Sequence, residues 1–281
     1  MEKVKLYNGS VTILFEPRKH KYLHEDNSKI LSVSKVKDVL NKDALVWWAS
    51  HCAAAHVNEH WDIGQTYNKA EKIALLKEAY FKHNDVKTQK AKTGKGVHGF
   101  AEQFVKGEKP SMPEDELIRN GANAFLKWWN EADFIPVYTE RIVYSKKLDI
   151  AGRGDLVVKK KQNGKYKYHV VDYKAVSMYK KAKFYEEDKY PDGFVIDERT
   201  GEKVKYPIFD EPIIQVSAYR GFLIEELKKD FGESYVIRFD QEFGDFDVTP
   251  LSEELQDQAY KTFSHLVPVR HYLDKYGVKL K

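Results

Sequence analysis

Three β-rich runs in close succession, residues 135–145, 150–159 and 165–174, constrain this chain more than any other feature. Each is rich in Val, Ile and Tyr, residue types that suit a pleated, half-buried surface. Gln162-Asn163-Gly164 separates the last two, and Asn-Gly is a strong hairpin signal. A meander of this kind has faces that must be covered. Helical patterns on both sides can cover them. Upstream, Ser34 looks like the N-cap of a short helix ending near Asn41, and Asp43 like the cap of a second helix through Trp47-Trp48 to about His60. Two more helices are predicted at 68–82 and 85–106. A fifth, at 114–132, opens with Glu114-Asp115-Glu116 and carries Leu117, Ile118, Phe125 and Trp129 at helical spacing. Downstream come a helix at 212–228, strands near 234–249 and a final amphipathic helix at about 252–275. Short strands at 11–15 and 21–23 predict a hairpin or meander ahead of all these.

The expected fold class is α+β: a central mixed sheet flanked by helices, with a helical N-terminal part. One domain is expected over 1–281. Its parts are an N-terminal hairpin and helices (1–85), a core (86–250) with an acidic, irregular insertion (186–211), and a C-terminal helix (251–281). The insertion carries a small hairpin signal at Arg199-Thr200-Gly201.

The 281 residues, 42% hydrophobic and 14% aromatic, can bury a real core, which excludes a disordered chain. One cysteine, Cys52, excludes a disulfide scaffold and any four-cysteine zinc or iron–sulfur site. No apolar run reaches the roughly 20 residues a membrane span needs, and Met1-Glu2-Lys3-Val4-Lys5 is no targeting segment. A cytoplasmic protein without a membrane partner is expected. The net charge is only +4, but residues 140–185 hold 13 basic against 4 acidic side chains. Such a segment is either a solvated, lysine-guarded sheet edge or the footprint of a polyanion site.

Four constellations carry chemistry. Gly94, His98 and Glu102 recur every four residues and so share one helix face. Gly152-Arg153-Gly154-Asp155 puts two glycines inside a strand pattern, the mark of a bulge or a close backbone approach. In Val170-Val171-Asp172-Tyr173-Lys174-Ala175-Val176, Asp172 and Lys174 sit two apart and project to the same face of an apolar strand. Buried charges are unfavourable unless paired or coordinated, so a plain core strand rarely accepts this. Gln215 and Tyr219 share a face of a later helix. Phosphodiester cleavage needs a divalent metal on hard oxygen ligands, an activated water and positive charge at the developing phosphorane. Asp155 and Asp172 can supply two oxygens, the Tyr173 carbonyl a third, and Lys174 the positive charge. His98 can complete a shell that accepts Mn²⁺ as well as Mg²⁺, and Glu102 can hold a second metal or a water.

In this order the motifs resemble those of the RecB-like exonuclease branch of the PD-(D/E)XK nuclease superfamily, over roughly residues 90–225. The early hairpin followed by Leu31-Ser32-Val33-Ser34 is similar to the start of stand-alone members, phage exonucleases and the mitochondrial genome maintenance exonuclease among them. The resemblance implies a restriction-endonuclease-like α/β core. It implies a Mg²⁺- or Mn²⁺-dependent DNA exonuclease that leaves 5′-phosphates and acts in recombination, repair or replication. His98, Asp155 and Asp172 match its metal ligands and Lys174 its catalytic lysine, while Gln215 and Tyr219 match a motif that shapes the site and contacts nucleic acid. Glu140 stands where related sequences often carry a glutamate. The four cysteines with which many relatives bind an iron–sulfur cluster are missing, and no phosphate-binding G-x-x-x-x-G-K-[S/T] loop supplies a motor.

The expected partner is DNA that is single-stranded or has a free end, with a recombination or replication protein as a further candidate. Tyr179-Lys180-Lys181-Ala182-Lys183-Phe184-Tyr185 interleaves rings and lysines in a way that suits single strands. Lys87, Lys90, Lys92 and Lys95 run up to His98, and Gly94, Lys95 and Arg153 are further candidates to touch substrate. Three alternatives stay open: an endonuclease with the same site, a non-catalytic nucleic-acid-binding protein, and a zinc peptidase built on His56-Val57-Asn58-Glu59-His60, an H-x-x-E-H match.

Overall fold

The chain begins with four short strands: β1 (Glu2–Leu6), β2 (Val11–Glu16), β3 (Lys21–Leu23) and β4 (Lys29–Ser32). The computed structural model describes residues 1–40, 43–183, 186 and 188–277, with the side chains at 43 and 44 left aside. The side chain of the expected Asp43 cap, the helix end near Asn41, and Phe184 and Tyr185 lie outside the described residues. Helices α1 (Val33–Lys37), α2 (Asp43–His60), α3 (Lys69–Val105) and α4 (Glu116–Ala132) follow. The meander is β5 (Ile135–Ser145), β6 (Ile150–Gln162) and β7 (Lys165–Val176). Then come α5 (Asp210–Leu227), β8 (Ser234–Asp240), β9 (Phe246–Leu251) and α6 (Glu253–Tyr276).

All nine strands form one mixed sheet, in which β6 runs antiparallel to β5 and β7, and β7 runs parallel to β8. The β6–β7 hairpin turns at Asn163 and Gly164, both at positive φ as a primed turn requires. One face of the sheet packs on α1, α5 and α6 through Val33, Val143, Phe222 and Phe263. The other packs on α3 and α4 through Val97, Phe100, Phe125 and Trp128. The N-terminal strands enclose a third apolar cluster over Ile142, Tyr144 and Ala151. The expected architecture, a mixed sheet flanked by helices, is the one observed. Among the described residues no helix is long and apolar enough to cross a membrane.

Two local expectations are corrected. The cap of α1 is Ser32, not Ser34: the strand ends at Ser32, whose extended backbone lets its hydroxyl accept the Lys35 N–H. The helices predicted at 68–82 and 85–106 are one helix of 37 residues, opened by an Asn68–Glu71 capping box. His83-Asn84-Asp85 contains no glycine or proline, and continuing a helix is easier than nucleating a new one. The insertion does hold the small hairpin, with Ile196 bridged to Lys203.

From α2 to the middle of α3 the chain forms a helical hairpin. Among the described residues, none from 43 to 92 joins the three core clusters. At 1.5 Å per residue, α3 is about 55 Å long, and only its second half lies on the sheet, through Val97, Phe100 and Ala101.

Candidate active site

The site lies where two strands part along one edge of β6. Its other edge pairs with β5 from Ile150 to Lys159, skipping Asp155. On this edge β6 pairs with β4 at Ile150 and Ala151, and with β7 only from Leu156 onward. Residues 152–155 therefore face a fork. The Tyr173 N–H, which has left the β6 ladder, donates to Asp155 Oδ2 at 3.0 Å. A strand residue directs its N–H and C=O to the same edge, so the Tyr173 carbonyl also opens on the fork.

The alternation of β6 reverses at this point. Ile150, Gly152 and Gly154 face the α5 side, yet Leu156, of the same parity, faces α3 and α4. The reversal falls at Asp155 and at Glu140 opposite it, which the β5–β6 register skips and which has φ +51°. Irregularities of this kind re-aim side chains, and a non-glycine residue in this region persists where its surroundings over-determine it. Here the result is a cluster. Ligating atoms of His98, Glu140 and Asp155 all lie within 4.8 Å of one another, and His98 Nδ1 is 3.7 Å from Asp155 Oδ1.

Asp172 and Lys174 stand apart from that trio, on the wall formed by α5. Asp172 is fully buried. Lys174 Nζ lies 2.6 Å from Asp172 Oδ2 as an ion pair, although that oxygen has no aligned hydrogen-bond donor. Gln215 Nε2 donates to Asp172 Oδ1 at 3.2 Å and to the Tyr219 hydroxyl at 3.1 Å. Lys37 Nζ in turn donates to Gln215 Oε1 at 2.5 Å. The Tyr219 ring lies on Gly152, where a Cβ would come within 2.6 Å of Tyr219 Cε1. The glycine read as a close-approach position is one because of this ring.

The electrostatics follow first from burial and then from neighbouring charge. Burial, reinforced by Asp155, pushes the Asp172 carboxyl above its ordinary range despite Lys174. Burial and the charge of Asp155 likewise raise Glu140, against the pull of Arg153. For Lys174, burial alone would lower the ammonium, but Asp172 and Asp155 outweigh it and the result is raised. Tyr219 is held well above its usual value by burial and by the same two aspartates, and stays neutral.

The remaining expected residues are placed as follows. Glu102 shares the helix face of His98 but is paired with Lys106 at 2.6 Å, outside the trio. A Cβ at Gly94 would meet nothing within 4 Å, and the close helix approach is at Gly96, against Ile118 of α4. Arg153 is ion-paired with Glu140. Desolvation, then the charges of Arg153 and Lys95, push His20 down, and Lys95 lines a groove along α3 with Lys87 and Lys92. Tyr179 packs edge-on against Phe243 and bonds Asp245. Lys181 pairs with Glu242 at 2.8 Å. Lys180 is tied through its backbone to Val195 and Val204, and the Lys183 N–H donates to Glu186. This segment and the insertion are thus one folded unit. Sequence reasoning marked Glu140 through the resemblance but gave it no role, and did not mark Lys37. Glu140 had a signal, a carboxylate in a Val- and Tyr-rich strand; Lys37 had none.

No family model and no curated protein matches this sequence. Several solved structures align, and one of them covers most of this chain. It is a protein of Eubacterium rectale, named only provisionally as an exonuclease. The alignment covers 91% of this chain and 85% of that one, at 10% identity and a TM-score of 0.47. So distant a likeness carries no argument about chemistry, and the geometry is read on its own.

That geometry fits a hard divalent cation. In the trio two carboxylates and one imidazole converge, with the Tyr173 carbonyl edge beside them, a donor set that would suit Mn²⁺ or Mg²⁺, while Asp172 lies outside that group. Burial, and after it the charge of Asp155, raises Asp172 and Glu140, and a cation would offset both. His56, Glu59 and His60 also come together, on α2, and take no part in the contacts above.

Proposed function

We propose that this chain is a metal-dependent nuclease, specifically a DNA exonuclease that leaves 5′-phosphates and works in recombination, repair or replication in the cytoplasm. One observation supports this above the others: the fully buried Asp172, paired with Lys174, sits at a fork whose other side carries His98, Glu140 and Asp155. A sheet gains little from such an arrangement, whereas metal-assisted phosphodiester hydrolysis uses one. His98, Asp155, Asp172 and the Tyr173 carbonyl are the proposed ligands, with Glu140 joining them. A bound Mg²⁺ or Mn²⁺ supplies an acidified water and neutralises phosphate charge. Lys174, held cationic, presents its ammonium where negative charge develops. Gln215 fixes the orientation of Asp172, and Tyr219 fixes Gln215. Lys95 and Arg153 line the approach for a DNA backbone. Tyr179, Lys180, Lys181 and Lys183 frame a second contact surface, with Gly94 leaving the helix face open between.

The test is cleavage of end-labelled single- and double-stranded linear DNA beside closed circular DNA, with Mg²⁺, Mn²⁺ or EDTA and with Asp172→Ala as control. Loss of linear DNA alone, dependent on metal and on Asp172, is the expected result. Nicked circles would make the protein an endonuclease with the same site. Metal-independent binding without cleavage of any substrate would overturn the catalytic reading.

A further inference from the structure

The helical hairpin carries a second set of ligating side chains, independent of the nuclease reading. His56 and His60 lie one turn apart on α2, and with Glu59 their ligating atoms fall within 4.8 Å of one another. His56 is 7% exposed, yet neither of its ring nitrogens has a hydrogen-bond partner. Buried polar groups are ordinarily bonded, and an unmet one calls for a reason. The rings of His56 and His60 are 4.2 Å apart between centroids. His60 Nδ1 lies 2.9 Å from the His56 carbonyl; as the donor there, it leaves Nε2 as the ligating atom, the way metal-bound imidazoles are usually fixed. From the facing helix α3, Glu78 brings a carboxylate oxygen to 3.6 Å from His56 Nε2.

The hairpin has a reason to need such a site. Among the described residues of α2, His56 is the one that is buried. The first half of α3 buries only Leu75 and Ala79. Where an apolar core is this thin, a structural metal can hold elements together instead. Two imidazoles with carboxylates suit Zn²⁺, whereas Mg²⁺ takes oxygen ligands.

We propose that His56, Glu59 and His60, with Glu78 of α3, form a second metal site, selective for a transition ion such as Zn²⁺ over Mg²⁺, that clips α2 to α3.

The experiment is a competition titration of Zn²⁺ into the metal-stripped full chain, with melting curves alongside. Wild type is compared with His60→Ala, Glu59→Gln and Asp155→Ala. His60 sits at the exposed end of its helix, so its removal spares the fold, and Glu59→Gln gives a second route. Wild type and Asp155→Ala should each bind one tight Zn²⁺ that raises the melting midpoint. In His60→Ala the affinity should fall by at least roughly 10–100-fold, the cost of losing even an outer-shell partner, and the midpoint should stop responding. Tight zinc kept by His60→Ala and lost in Asp155→Ala would assign the ion to the fork and overturn the proposal, as would no tight zinc in wild type. Zinc-dependent peptide hydrolysis abolished by Glu59→Gln would overturn the structural role in favour of a peptidase.

Discussion

A buried carboxylate with an ammonium beside it is a weak way to hold a sheet together, because desolvation of both charges offsets their attraction. Asp172 and Lys174 are therefore best tested as a pair. Lys174→Ala leaves Asp172 without its cation, and we expect a loss of roughly 3 kcal/mol of stability and a fall in cleavage of about 10²–10³-fold. Asp172→Asn combined with Lys174→Met removes both charges. It should recover most of the stability and none of the cleavage, as read from denaturant melts and end-labelled DNA. Equal instability of single and double variants would mean that the pair is structural. Glu140 offers a pH test. Its carboxyl is raised above its ordinary value of 4.5 by burial and by Asp155, so the folded state holds this proton more tightly than the unfolded one. Stability from this group is complete below the ordinary value and is lost as pH rises through the raised one. Glu140→Gln should therefore melt higher than wild type at neutral pH without metal, with the gap closing on acidification and cleavage lost. A gap that widens in acid would reverse the assignment. The two residues also differ in legibility. Two charges in a run of valines declare themselves, and Asp172 and Lys174 were readable for that reason. Glu140 reaches the site only because the backbone turns over at its positive φ, and strand periodicity contains no such reversal.

At the scale of elements, the glycines of β6 divide by what lies above them. A Cβ at Gly152 would meet Tyr219 Cε1 at 2.6 Å and Val33 Cγ2 at 3.1 Å, whereas one at Gly154 would meet the Tyr219 ring at 3.6 Å. Gly152→Ala should lose about 1–3 kcal/mol, the usual cost of overpacking. By displacing Tyr219 and the Gln215 it anchors, it should also lower kcat with little change in substrate affinity. Gly154→Ala should be close to neutral in both. Similar melting midpoints for the two variants would show that α5 is free to move off β6. The meander and the start of α4 were legible because their signals are local, the Asn-Gly turn and the acidic run Glu114-Asp115-Glu116, whereas the α1 cap was misplaced by two residues. The fused α3 was not legible, because periodicity does not show whether a helix runs on through His83-Asn84-Asp85, where no glycine or proline stops it. The fork was not legible either, since it exists only where β4 and β7 compete for one edge of β6.

At the scale of the molecule, the length of α3 joins the hairpin to the site. Asn84, Lys87, Thr88, Ala91, Lys92 and Lys95 line one groove along it, and at steps of three or four residues that face continues to His98 and Glu102. The basic residues nearest the fork are thus a stripe that starts at Lys87 and reaches the proposed ligand His98 after about 17 Å. A DNA backbone laid along it would release roughly one counterion per lysine. With Lys87, Lys92 and Lys95 all changed to Gln, the slope of log affinity against log salt for single-stranded DNA should become shallower by about 2, measured by fluorescence anisotropy at several salt concentrations. His98→Ala, on the same face but beyond the stripe, should leave the slope unchanged while cleavage falls. If the triple variant keeps the wild-type slope, the strand enters from elsewhere, and the folded unit around Lys180, Lys181 and Lys183 becomes the path to examine. Lys181 is already neutralised by Glu242 and Tyr179 is packed against Phe243, so that path offers a strand less free charge and less open ring surface than the helix does, and the helix is the stronger expectation.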